Sequence, residues 1–169
     1  YYDSGSWRAT WKGEGGGVLL NQCPHQLDLL QWICGLPKTV QAFCQEGKWH
    51  DIEVEDDVTA YLQFENGATG VFVTTTGDAP GTNRFEVTGT LGKLVCENDR
   101  LTFWKLEEEE REFCRTAQEG FAKPPCQEIQ VETDGENLQH VGILNAFAGN
   151  ILHGTPLVAD GREGIRGLT

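Results

Sequence analysis

The chain has no methionine and only 13 lysines and arginines, against 26 aspartates and glutamates, in 169 residues. The shortage of cations excludes one class of partner. Nucleic-acid binding rests on neutralising phosphates with Lys and Arg, and a formal net charge of −13 runs the other way. Long apolar runs are missing too. No stretch approaches the ~18 consecutive apolar residues that a membrane span needs, and no basic-apolar leader opens the chain. A cytoplasmic protein is expected. The opening "YYDSGSWR" begins abruptly and without Met, and the last residues read as a helix just starting, so the chain is expected to be a fragment or a processed piece.

Cysteine is present but unpatterned. The six, at 23, 34, 44, 96, 114 and 126, form no C-x-x-C pair and no zinc-finger spacing. They are expected to be small reduced hydrophobes. The acidic run "LEEEEREF" (106–113) is expected to be a solvated hairpin or loop.

Glycine is plentiful, and four of the five residues of "GEGGG" (13–17) are glycine. A dinucleotide-binding turn needs G-x-G-x-x-G after a buried strand. Starting from Gly13 and Gly15, the third glycine is replaced by Val18; starting from Gly15 and Gly17, by Leu20. The preceding "SWRATWKGE" is too polar for a central strand, Glu14 would repel an anion, and no G-K-[ST] follows. A phosphate site is not expected here.

After the glycines, residues 16–34 read as a helix, with Gly35 at its end and Pro37 beyond. Leu19, Leu20, Cys23, Leu27, Leu30 and Cys34 share one broad stripe; Asn21, His25, Asp28 and Trp32 share another. Pro24 lacks an N–H and crowds the preceding turn, which predicts a kink or a restart near position 22. From residue 38 the period changes to two. "TVQAFCQ", "DDVTAYLQFENGATGVFVTTTG", "NRFEVTGTLGKLVCEND", "LTFWKL" and "EIQVE" read as about six strands, with Asn66-Gly67 as a hairpin turn. A second helix, Asn137 to about His153, sets Leu138, Val141, Leu144, Phe147, Ala148 and Ile151 at core-facing spacing, and Asp160 is a candidate cap for another helix. The order predicts an α+β fold: an open, mostly antiparallel or mixed sheet with helices packed on one face.

His25 with Asn21 and Asp28 is the one polar constellation at helical spacing. The plain alternative is a helix's solvent face with an ordinary histidine. An imidazole beside a carboxylate and an amide suits general acid–base work, because its ordinary pKa of about 6.5 is close to operating pH. Metal binding by His25 and Asp28 with His50 and Asp51 is the rival chemistry, although two residues three apart fix only half a site. His140 and His153 are most simply exposed or capping.

"EGGGVLLNQCPHQLDLLQWICGLP" (14–37) resembles the helix that opens the C-terminal domain of the Gfo/Idh/MocA oxidoreductases. "VTGTLGKLVCENDRL" is similar to the family's strand-turn-strand, and "LNAFAGNILHGTPLVADGREGIRGL" to its late helix and final helix start. The resemblance covers nearly the whole chain. It implies that residues 1–169 are the substrate-binding and oligomerisation domain, cut within the last helix. An N-terminal Rossmann domain would carry NAD or NADP and a catalytic Lys in a Glu-Lys-Pro motif, and this chain contains neither. It implies that His25 accepts the hydroxyl proton as hydride leaves for the nicotinamide. It implies that Asn21, an amide where many members have Asp, positions substrate rather than relaying a proton, and that Asp28 supports the site from beside it. Tyr2, Trp7 and Arg8, which precede the motif, are expected to border a sugar pocket.

The function so implied is the substrate domain of an NAD(P)-dependent dehydrogenase acting on the CH–OH group of a sugar, polyol or inositol-like compound, inactive as a separate fragment. The alternatives are a non-catalytic binding or dimerisation module, paired through the open sheet face into a homo-oligomer, and a His-based metal-dependent hydrolase. In "VTAYLQF" one alternating set is Val58, Ala60, Leu62 and Phe64, the other Thr59, Tyr61 and Gln63; beyond it Val71 and Val73 give the second face some apolar character.

Overall fold

A computed structural model describes residues 2, 5–133, 135 and 138–168. The chain divides into two compact units, Tyr1–Ala79 with His140–Thr169, and Pro80–Gln139. The class is α+β and every strand pairing is antiparallel. Among the described residues the strands number seven, in two separate ladders of three and four.

The first unit holds α1 (Val18–Asn21), α2 (Pro24–Cys34), β1 (Thr39–Glu46), β2 (Glu55–Gln63) and β3 (Thr69–Thr75). The restart expected near position 22 is present: α1 ends at Asn21 and Pro24 occupies the first turn of α2, where its missing N–H costs nothing. Gly35, at φ 79°, ends α2 with its N–H on the Gln31 carbonyl at 2.8 Å. In β2 the alternation is as read, with Val58, Ala60 and Leu62 buried and Thr59, Tyr61 and Gln63 exposed. Val58 packs with Val18 and Cys23 beneath α1, joined by Leu19, Leu27 and Phe72. A second small core gathers Tyr2, Ala9 and Val54 with Ile52. At the β2–β3 hairpin the Asn66 carboxamide oxygen accepts from Ala68 N at 3.0 Å, and Gly67 takes φ 85°.

β2 opens with carboxylates that stay inside. Asp56 is 0% exposed and accepts three backbone N–H groups, from Lys48 at 3.0 Å, Trp49 at 2.7 Å and His50 at 3.1 Å. That concentration of charge-assisted bonds folds the 47–51 loop back over the start of the strand.

The unit also contains α4 (Gln139–His153) and α5 (Gly161–Arg166). Asp160 caps α5, accepting from Arg162 N at 2.9 Å and Glu163 N at 3.1 Å. The expected start of α4 at Asn137 lies outside the described residues. Its apolar stripe is a correction: Leu138, Val141, Leu144, Phe147 and Ile151 are exposed, not buried. The spacing reports correctly where an apolar face lies on the helix, but not whether this chain covers it.

In the second unit β4 (Arg84–Gly89), β5 (Gly92–Glu97), β6 (Arg100–Leu106) and β7 (Cys126–Val131) pair in chain order. Asn98 and Asp99, at φ 52° and 58°, make the two-residue turn between β5 and β6 that matches strand twist. The acidic run is also corrected. Part of it is a helix, α3 (Glu110–Thr116), because Glu109 caps Glu112 N at 3.0 Å and acids crowd the first turn, where the helix dipole favours them. All six cysteines are free, as expected, but only Cys23 is buried; four are exposed, so the small-hydrophobe reading holds for one position.

Replacing Asp56 by Ala leaves three amides without their acceptor. A loss of about 3 kcal/mol or more is expected in urea unfolding, and a loss below about 1 kcal/mol would show that the clasp does not hold the loop.

Candidate functional site

The glycine run is closed by a carboxylate. Glu55 is buried, and both of its oxygens accept Gly17 N at 2.9 Å while Oε1 also takes Leu19 N at 3.2 Å. These are the first amides of α1, which has no cap from its own N-terminal residue. Glu55 supplies that cap from 38 residues away, and its charge suits the positive end of the helix. The approach is close enough that a Cβ on Gly17 would sit 1.9 Å from the Glu55 carbonyl oxygen. The spot that a pyrophosphate would need is therefore filled by Glu55, and these residues do not fit a dinucleotide.

The segment before the glycines folds on Glu14. Its Oε2 accepts Ala9 N at 2.8 Å, where Ala9 is at φ 52°, and Arg8 Nη1 lies 3.7 Å from Oε1. Glu14 Oε1 also accepts the side-chain amide of Asn21. The Arg8 guanidinium in turn lies over the Trp7 ring, 4.6 Å from its centroid. Glu14 thus links three of the expected site residues, Trp7, Arg8 and Asn21, into one network.

His25 sits in the first turn of α2, exposed, and among the described residues its ring has no hydrogen-bond partner. Asp28 is exposed and its Oδ1 accepts Gln31 Nε2 at 3.0 Å. His25, Asp28 and Trp32 follow one another on one face of α2, and Trp32 is 71% exposed. Asn21 belongs to α1, across the break, so the single polar face drawn on an unbroken helix is divided between two helices. Tyr2, expected at the rim of a sugar pocket, is buried at 5% exposure beside Ala9 and Val54, its ring 5.0 Å from that of His50. No group of three or more His, Cys, Asp or Glu among the described residues is placed to hold a metal.

Sequence reasoning missed Glu14, weighed only as a charge that repels anions, and Glu55. The signal for Glu55 was present: "VEDDV" places acids at the start of a strand that is otherwise buried on alternate residues. It also missed Gln31, buried with its Oε1 accepting no hydrogen bond among the described residues.

A family profile described as the GFO/IDH/MocA C-terminal domain matches residues 1–95, which contain the whole glycine and histidine segment. The chain belongs to the GFO/IDH/MocA family. No curated protein sequence matches it. Among solved structures, this GFO/IDH/MocA chain is similar to the WlbA dehydrogenase from Bordetella pertussis in complex with NADH and UDP-GlcNAcA, at 26% identity and TM-score 0.70, over 99% of this chain and 45% of that one. The WlbA dehydrogenase from Chromobacterium violaceum, in complex with the same two ligands, matches at 27% identity and TM-score 0.68, again over 99% and 45%. Levoglucosan dehydrogenase in complex with NADH and L-sorbose shares the fold, at 18% identity and TM-score 0.71, over 99% of this chain and 50% of that one. The chain spans about half the length of these proteins. No described helix is long and apolar enough to cross a membrane.

Gly17→Ala drives a methyl group into the Glu55 backbone. The expected result is a loss of more than about 3 kcal/mol in stability, or failure to fold, read by circular dichroism melting; a melt unchanged within about 1 kcal/mol would disprove the close approach.

Proposed function

We propose that this chain is the substrate-side domain of an NAD(P)-dependent oxidoreductase acting on a CH–OH group of a sugar, polyol or inositol-like compound. The observation that carries the reading is His25: it lies inside the family-matched stretch and is exposed in a first helical turn with no partner of its own among the described residues. Two similar structures hold NADH together with a sugar nucleotide. A bound nicotinamide would supply the hydride acceptor. The cofactor is held mainly by a separate Rossmann domain, in keeping with a glycine run whose Gly17 and Leu19 amides are already taken by Glu55.

In this reading an imidazole nitrogen of His25 takes the proton from the substrate hydroxyl as the C–H pair leaves the same carbon, so the alcohol becomes a carbonyl and no charge is left on oxygen. Asn21 hydrogen-bonds a substrate hydroxyl and cannot relay a proton. Arg8 and Trp7 offer a cation and an aromatic face at the rim, and Asp28 orients its surroundings through Gln31. Tyr2 supports the segment that carries them by filling the core beneath it. The test is a panel of sugars and polyols offered to the full-length protein with NAD⁺ and NADP⁺, followed by nicotinamide absorbance. On an active substrate, His25→Ala should lower kcat by roughly 10²–10⁴; a loss of less than tenfold removes His25 from the acid–base role.

A second role has its own observation. The outer face of β1–β3 sets exposed Phe43, Tyr61, Val71 and Val73 side by side, with Phe43 71% and Val71 68% exposed. We infer that this face pairs copies of the chain into a homo-oligomer. Phe43→Asp with Val71→Asp should shift sedimentation to a smaller species, and an unchanged sedimentation coefficient would place the contact elsewhere.

A further inference from the structure

The four-stranded ladder of the second unit carries a row of alternating charge across three strands. Arg84 on β4 stands opposite Glu97 on β5, and Glu97 stands opposite Arg100 at the start of β6. Opposite charges placed directly across a sheet ordinarily stabilise each other. Here Glu97 turns to one side only, and its Oε2 accepts from Arg84 Nη1 at 2.6 Å. Glu86 takes Arg84 as well, through both Nε and Nη2. Two carboxylates are thus committed to one guanidinium. Among the described residues the Arg100 side chain makes no hydrogen bond or ion pair. In a chain with 26 acids against 13 lysines and arginines, an arginine left without an acid is the unexpected case.

Arg100 borders a cavity of about 460 Å³, within the size range of small-molecule sites. Val95, at 5% exposure, and the Trp104 ring give it an apolar lining. Most of its polar groups are already engaged. The Thr102 hydroxyl exchanges hydrogen bonds with Gln130 at 3.0 and 3.2 Å. Lys93, beside the Trp104 ring at 4.9 Å from its centroid, has its charge offset by Glu86 at 3.6 Å. What stays open to a guest is one planar cation, the Asn98 carboxamide at the turn, and the apolar wall. A merely solvated arginine would need neither the aromatic wall nor the hollow beside it.

We propose that this cavity is a ligand site of the second unit and that it takes a small carboxylate carried on a flat ring. A guanidinium presents parallel N–H donors that match the two oxygens of a carboxylate. Glu97 lines the same cavity and sets the charge of the guest. Arg100 balances one negative charge, whereas the second charge of a phosphate monoester meets Glu97 with nothing to offset it. The ring rests on Val95 and Trp104, where an offset or edge contact with the indole adds to the apolar area covered. The site shares no residue with the segment around His25, and its test needs no turnover.

Calorimetric titration of the full-length protein with benzoate, benzyl alcohol and phenyl phosphate separates charge, ring and charge number. Benzoate should bind with a Kd of about 1 mM or tighter. Benzyl alcohol, the same ring without the charge, should bind about tenfold more weakly or worse. Phenyl phosphate above neutral pH should also be weaker than benzoate. Glu97→Gln, which keeps an acceptor for Arg84, should narrow that gap. Arg100→Ala should weaken benzoate by about tenfold or more, with the melting temperature kept within about 2 °C of the parent. If that variant melts much lower, Arg100→Lys decides, since it keeps the charge and loses the fork; benzoate bound as tightly as by the parent overturns the site. No benzoate binding, or benzoate binding untouched by Arg100→Ala, overturns it too. Benzyl alcohol or phenyl phosphate binding as well as benzoate overturns the assignment of a carboxylate.

Discussion

The first unit is organised by a carboxylate that caps a helix belonging to another part of the chain. α1 is four residues long, far too short to hold itself together, and it begins on a glycine that contributes no side-chain cap. Glu55 satisfies its leading amides and, through them, fixes where Val18, Cys23 and Asn21 stand. The helix restarts as α2 immediately afterwards, so the placement of His25 inherits the same anchor. Gly17 is the complementary half of the contact. Its lack of a side chain is what allows the two backbones to touch. A histidine on a short helix after a proline break would otherwise be poorly aimed, and sites need supporting groups to be held.

A neighbouring residue performs the same task on another segment. Asp56 gathers three successive amides of the 47–51 loop, while Glu53 takes Trp11 N at 2.7 Å. Residues 53–56 therefore hold the loop before β2, the segment that carries Trp7 and Arg8, and the helix that carries Asn21. For a strongly acidic chain this is an economical arrangement. Acids that would repel one another at the surface are directed individually at backbone N–H groups, where each is more strongly bonded than a neutral acceptor would be.

Much of this was legible in the sequence and some could not have been. Alternation in "VTAYLQF" gave the buried and exposed sets of β2 correctly because a strand's period of two leaves no freedom. Pro24 and Gly35 marked the start and end of α2 for reasons of backbone geometry alone. Asn66-Gly67 announced its turn in the same way. The misses share a cause. Whether α4's stripe is covered, whether Tyr2 faces a pocket or the core, and what Glu14 bonds to are all decided by residues distant in sequence. Periodicity carries no information about them. Glu55 is the sharpest case, since its partner lies 38 positions away and the bond is invisible to any local pattern.

That separation has an entropic consequence. The Asp56 clasp spans only 6 to 8 residues, whereas the Glu55 bonds close loops of 36 and 38. Loop-closure entropy rises slowly with length, so the contact that places α1, and with it the start of α2, is closed at a higher entropic cost than the clasp beside β2.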